Sequence, residues 1–170
     1  MDTRPIGVFD SGLGGLTALR ELARIMPEED LIYFGDTGRV PYGGRSKEIL
    51  VKYARQDTAF LRTFNPKAIV IACGTVSTTA LEVIQAENDI PVFGVVESAV
   101  HAAAQLTKNG RVGLIGTKAS IRSRAYERAL GALRPAPPSP PGPAPCWSRW
   151  WRTGGPGPAT SWPRRWRPST

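Results

Sequence analysis

Three short clusters carry most of the chemistry this chain can offer. The first is Asp10-Ser11-Gly12-Leu13-Gly14-Gly15. The second is Gly35-Asp36-Thr37, running on to Val40-Pro41-Tyr42-Gly43-Gly44, and the third is Cys73-Gly74-Thr75. Each sets a polar side chain beside glycines, which leave backbone N–H donors open to a ligand. Cys73 is the most informative. It follows the apolar run Ala68-Ile69-Val70-Ile71-Ala72 and precedes Gly74-Thr75-Val76-Ser77-Thr78, so a buried strand is predicted to end on a thiol where a helix begins. A helix N-terminus favours negative charge, and a thiolate placed there can serve as base or nucleophile. Asp10, at the end of another strand, can accept or relay a proton beside it.

Taken singly, each feature also has a plainer account. Gly12–Gly15 can cradle a phosphate at a helix N-terminus, or simply let a helix pack closely on a strand; it matches neither the dinucleotide fingerprint nor the P-loop, whose Lys it lacks. Asp10 can cap a helix, Tyr42 can close a turn after Pro41, and Cys73 can be a buried structural thiol. His101, the only histidine, falls on a predicted helix with no catalytic role.

The elements that must position these groups follow from two alternating periodicities. Near-continuous apolar runs at Ile6–Phe9, Leu31–Phe34, Ala68–Ala72, Pro91–Val96 and Val112–Ile115 predict strands buried on both faces. Helix-period segments lie between them. Leucines recur at 16, 19 and 22. Ser46–Phe64 reads as a longer amphipathic helix with Ser46 as N-cap and Asn65-Pro66 as stop. Thr75–Glu87, Ser98–Lys108 and Ser120–Leu133 complete the series. Strand–helix–strand repetition predicts an α/β fold with a doubly wound parallel sheet, whose working groups gather at the carboxyl ends of the strands.

Composition divides the chain. Residues 135–170 hold 11 of the 16 prolines, all five tryptophans and five arginines, with no Leu, Ile, Val, Phe, Met, Asp, Glu or Lys. Such a segment builds no regular core element. Its Pro, Arg, Gly, Ala, Trp and Ser content is what an out-of-frame reading of a GC-rich gene would give; a genuine disordered arm for a partner is the other reading. The net charge of +8 also belongs mostly to this tail, because residues 1–134 balance at only +3. A specific nucleic-acid role is therefore not expected of the body. Two distant cysteines, Cys73 and Cys146, make neither a disulfide framework nor a zinc spacing. The chain shows no signal-peptide pattern and no apolar stretch approaching 18 residues, which predicts a cytoplasmic protein away from the membrane.

The clusters are far more specific together. Asp10-Ser11-Gly12-x-Gly14-Gly15, Pro41-Tyr42-Gly43 and Ala72-Cys73-x-Thr75 resemble the N-terminal half of the glutamate racemases, a cofactor-independent branch of the aspartate/glutamate racemase superfamily. Pro91-Val92-Phe93-Gly94-Val95-Val96-Glu97 agrees too, as does Gly113-Leu114-Ile115-Gly116-Thr117 followed by Ile121-Arg122-Ser123. The resemblance runs from Ile6 to about Arg134 and stops where the composition breaks. It implies a first α/β domain over 1–97, the opening of a second, pseudo-symmetric and truncated domain over 98–134, and the tail over 135–170.

The resemblance further implies two-base interconversion of L- and D-glutamate, the latter for peptidoglycan, cell-wall biogenesis and cell shape. Two cysteines, one from each domain, would work on opposite faces of Cα. Cys73 matches the first, with Asp10 assisting its proton traffic. Ser11, Tyr42, Gly43, Gly74 and Thr75 would bind the substrate, and Thr117 lies near the analogous region of the second domain. No cofactor is implied, and a homodimer is left open for full-length members. Two departures stand out. Gly74 replaces the family's usual Asn, and the second cysteine's Gly-Cys-Thr-His cluster is absent, with Cys146 between Pro145 and Trp147 no substitute. The expectation is a chain that does not racemise glutamate and whose last strand edge is prone to aggregation. Two other classes remain beside this one. One is a small-molecule-binding or interaction module with a basic tail, and the other is a thiol hydrolase, for which no basic partner adjoins Cys73 in sequence.

Overall fold

The computed structural model describes residues 2–133, and the features read in the tail, Cys146 among them, lie outside those residues. Four strands form one parallel sheet: β1 (Ile6–Asp10), β2 (Leu31–Gly35), β3 (Ala68–Ile71) and β4 (Val92–Gly94), in the order β2-β1-β3-β4. β1 lies in the middle. Ile6 aligns with Leu31 on one side and with Ala68 on the other. All five of its residues are buried, as an apolar run covered on both faces requires. The predicted parallel α/β architecture is present.

The helices explain themselves locally. α1 (Leu16–Ile25) follows the glycine turn, and α2 (Lys47–Arg62) starts where the Ser46 hydroxyl accepts the Ile49 N–H. Leu50, Val51, Ala54, Thr58 and Leu61 give α2 its buried stripe, and Asn65 at φ 51° turns the chain out ahead of Pro66. Leu61 presses on β1 so closely that a Cβ at Gly7 would stand 3.2 Å from it. α5 spans Val96–Leu106.

Two predicted helices are each broken into two. Thr75–Glu87 divides into α3 (Gly74–Thr79) and α4 (Leu81–Glu87) at Ala80, whose φ is −123°. The cause is the run Thr75-Val76-Ser77-Thr78-Thr79. Ser77 donates to the Ile71 carbonyl, and Thr78 and Thr79 both donate to that of Thr75, so hydroxyls compete for the backbone. Ser120–Leu133 becomes α6 (Lys118–Ser123) and α7 (Ala125–Leu133), separated by Arg124 at φ 55°. The strand predicted at Val112–Ile115 does not form. Among the described residues no strand ladders with it, and Ile115 is 86% exposed. Apolar character alone cannot make a strand when backbone partners are missing.

Candidate active site

The sheet delivers three loops to its carboxyl edge, and their anchoring begins at Asp10. This buried carboxylate accepts two backbone N–H groups, Ser11 at 2.7 Å and Gly15 at 2.8 Å, and so folds the Ser11–Gly15 turn around itself. Gly15 has to be glycine. A Cβ there would lie 2.6 Å from the Asp10 Cβ and 3.0 Å from that of Ala72. The turn aims Ser11 Oγ at Cys73 Sγ, 3.2 Å away. No hydrogen bond joins Asp10 to the sulfur among the described residues, so it acts on the sulfur through this turn and through its charge. Sequence reasoning missed Tyr33, whose hydroxyl donates to the Gly12 carbonyl at 3.0 Å. Nothing in the alternation of β2 marks it out.

Cys73 stands at the junction of β3 and α3 and is 5% exposed. The expected thiolate is not favoured here. Burial pushes the thiol pKa up, and the Asp10 charge adds to the rise. Hydrogen bonding from Ser11 and from the backbone of Val76 and Ser11 pulls down, but less strongly. The short α3 thus offsets desolvation only in part.

On the other side of Cys73, Thr75 Oγ1 lies 3.0 Å from Thr117 Oγ1. Thr117 caps α6 by accepting the Ser120 N–H, and its methyl side fills the space over Gly43, where a Cβ would come within 2.7 Å of it. The Gly43 carbonyl in turn accepts the Ala119 N–H at 3.1 Å. The structure therefore gathers Ser11 and Cys73 at one point and Gly43, Thr75 and Thr117 at another. Gly74 has open space where a side chain would begin, the nearest atom being the Tyr126 hydroxyl at 3.9 Å.

Tyr42 is placed differently from the hydroxyl donors around the thiol. It is buried, and its hydroxyl donates to Asp36 and to Asp57, the latter at 3.3 Å. Arg39 completes this cluster with contacts of 2.5 Å from Nε to Asp36 and from a terminal nitrogen to Asp57. Among the described residues no group of three or more His, Cys, Asp or Glu can hold a metal ion. No helix there is long and apolar enough to cross a membrane.

A thiol and hydroxyls gathered at the carboxyl edge of a parallel sheet place the chain among the open α/β proteins, whose ligands bind at that edge. The comparisons with known proteins narrow this class. The sequence model of the Asp/Glu/Hydantoin racemase family matches residues 19–142, and the chain belongs to that family. A glutamate racemase of Geobacter metallireducens is 48% identical over 135 residues, covering 79% of this chain and 50% of the relative. That of Chlorobaculum tepidum is 51% identical over 127 residues, covering 74% and 47%. Among solved structures, a glutamate racemase isoform of Bacillus anthracis superposes with a TM-score of 0.77 at 41% identity, covering 79% of this chain and 51% of that one. The Francisella tularensis glutamate racemase, solved in complex with D-glutamate, gives 0.73 at 44% identity, with 79% and 50% covered. The chain spans about half the length of the curated relatives it matches.

Proposed function

We propose that this chain carries the N-terminal half-site of a glutamate racemase, with Cys73 as the group that exchanges the proton on one face of the substrate's Cα. The observation that carries the reading is the Ser11–Cys73 contact at 3.2 Å at the carboxyl edge of the sheet, with Cys73 inside the span, residues 19–142, that matches the family model. In this reaction the Cys73 thiolate takes the Cα proton, the electron pair stays on carbon as a carbanion spread into the carboxylate, and the proton returns from sulfur. Ser11 hydrogen-bonds the sulfur in both states, and Asp10 holds Ser11. Gly43, Gly74 and Thr75 offer amides and a hydroxyl to the substrate, with Thr117 beside them. Tyr42 acts through its backbone, its hydroxyl being engaged elsewhere.

A single base serves a single face. Residues 98–134 read as the opening of a second domain, and no Gly-Cys-Thr-His cluster occurs within residues 1–170. In the whole family member the product, D-glutamate, feeds peptidoglycan synthesis in the cytoplasm, without a cofactor and with a homodimer as the assembly to test. The assay is incubation of the full chain with L- and D-glutamate in deuterated water. The expected outcome is no interconversion, with Cα exchange on one enantiomer only and its loss in Cys73→Ala. Interconversion of the enantiomers, or exchange that survives Cys73→Ala, would overturn the proposal.

A further inference from the structure

The Asp36–Arg39–Tyr42–Asp57 cluster has no part in the proton transfer described above. Two carboxylates, Asp36 and Asp57, are buried within reach of one guanidinium and one phenol. Arg39 also donates to Gln56 and lies 4.4 Å over the Tyr53 ring, which itself packs 5.2 Å from the ring of Tyr42. Asp57, Gln56 and Tyr53 all belong to α2, whereas Asp36, Arg39 and Tyr42 belong to the loop that follows β2. The cluster is thus a fastening between one loop and one helix.

Both ends of that loop touch the candidate site. At its start the Asp36 N–H donates to the Asp10 carbonyl at 2.9 Å. At its end Gly43 seats the Thr117 side chain and accepts the Ala119 N–H. A charged network with fork geometry holds such a loop in one place, because a guanidinium bound on several sides cannot shift without leaving a buried carboxylate unpaired.

We propose that Arg39 and Asp57 are positioning residues, which fix the loop from Asp36 to Gly44 against α2 and thereby set Gly43 and Thr117 opposite Thr75. The substrate side of this statement rests on the half-site reading; the loop side does not.

The test compares Arg39→Met, the charge-retaining Arg39→Lys and the core variant Ile84→Val, whose site on α4 lies outside the cluster, in the full chain. Amide hydrogen exchange is read at Ala119, with the amides of α5, outside the cluster, as internal control. The expected result in Arg39→Met is roughly a tenfold or greater rise at Ala119, the scale of losing one charge-assisted bond, with α5 unchanged. Arg39→Lys recovers part of the protection, and Ile84→Val leaves Ala119 as it was. Equal rises in Arg39→Met and Ile84→Val, or no rise in Arg39→Met, would overturn the proposal. D-glutamate titration watched at the Gly43 and Thr75 amides separates the two readings. Shifts in the wild type that persist undiminished in Arg39→Met sink the positioning role. Absence of shifts in the wild type counts against the half-site, while Ala119 exchange still decides the loop.

Discussion

The sulfur of Cys73 is governed by a contest between desolvation and hydrogen bonding. Desolvation is the larger influence, so the thiol stays protonated at neutral pH and ionises only on the alkaline side. Alkylation by iodoacetamide should therefore be slow at pH 7 and climb as pH rises. Ser11→Ala removes a hydrogen bond that favours the thiolate. It should lower the alkylation rate at a given pH by up to about tenfold, the scale of one such bond. An unchanged rate would mean that the 3.2 Å contact does not reach the thiolate. Asp57 tests a second balance. Burial, then the Asp36 charge, push its carboxyl from the ordinary 3.8 to about 6, against the opposing pull of Arg39 and Tyr42. A raised acid holds its proton more tightly in the folded chain, so this group's contribution to stability falls as pH climbs from about 4 to 6 and is flat above. Urea unfolding of wild type and Asp57→Asn at both ends of that window should show their stability difference shifting by up to about 3 kcal/mol. A difference independent of pH would exclude this titration. Cys73 and Asp10 were legible in the sequence because strand ends and glycines announce themselves locally. The engagement of Tyr42 was not, because Asp57 sits 15 residues away on a helix face whose other members are mostly apolar.

The elements obey their local chemistry wherever a single periodicity governs. Ser46, Asn65 and Pro66 bound α2 as their types require, and the five buried residues of β1 read as a strand without further help. Legibility failed where side-chain hydroxyls or missing neighbours decide, at the Ala80 break and at Val112–Ile115. The turn between β1 and α1 is the tightest junction, and it yields a sharp expectation. Gly15→Ala places a methyl group against both Asp10 and Ala72, and the flanking elements must separate. A loss of about 1–3 kcal/mol in unfolding free energy is expected, with a change in Cys73 alkylation as Ser11 moves off the sulfur. Gly74→Asn is the contrasting case. The space beyond its Cα admits the side chain, so stability should hold within about 1 kcal/mol. A large loss there would show that Tyr126 guards the position.

At the scale of the molecule, the sheet of the described residues ends in an open edge. β4 is only three residues long, pairs among the described residues with β3 alone, and carries Phe93 at 57% exposure. Leu106, Leu114 and Ile115 are further exposed apolar side chains on the segments that follow. An unpaired strand edge beside apolar surface invites self-association. The weight-average mass of the full chain from light scattering should accordingly rise with concentration, and Phe93→Lys should reduce that rise without changing the circular dichroism of the folded body. A mass independent of concentration would show the edge to be harmless.

The placement of β1 at the centre of the sheet also sets a clock. Its register partner at Ile6 on the inner side is Ala68, a separation of 62 residues. A ribosome adding about 5–20 residues per second makes the first strand wait roughly 3–12 s before β3 has been made. Throughout that interval Ile6, Val8 and Phe9 have β2 and, late in it, α2 to pack against, but no strand on the β3 side. The most buried strand of the finished molecule thus waits longest for its second neighbour.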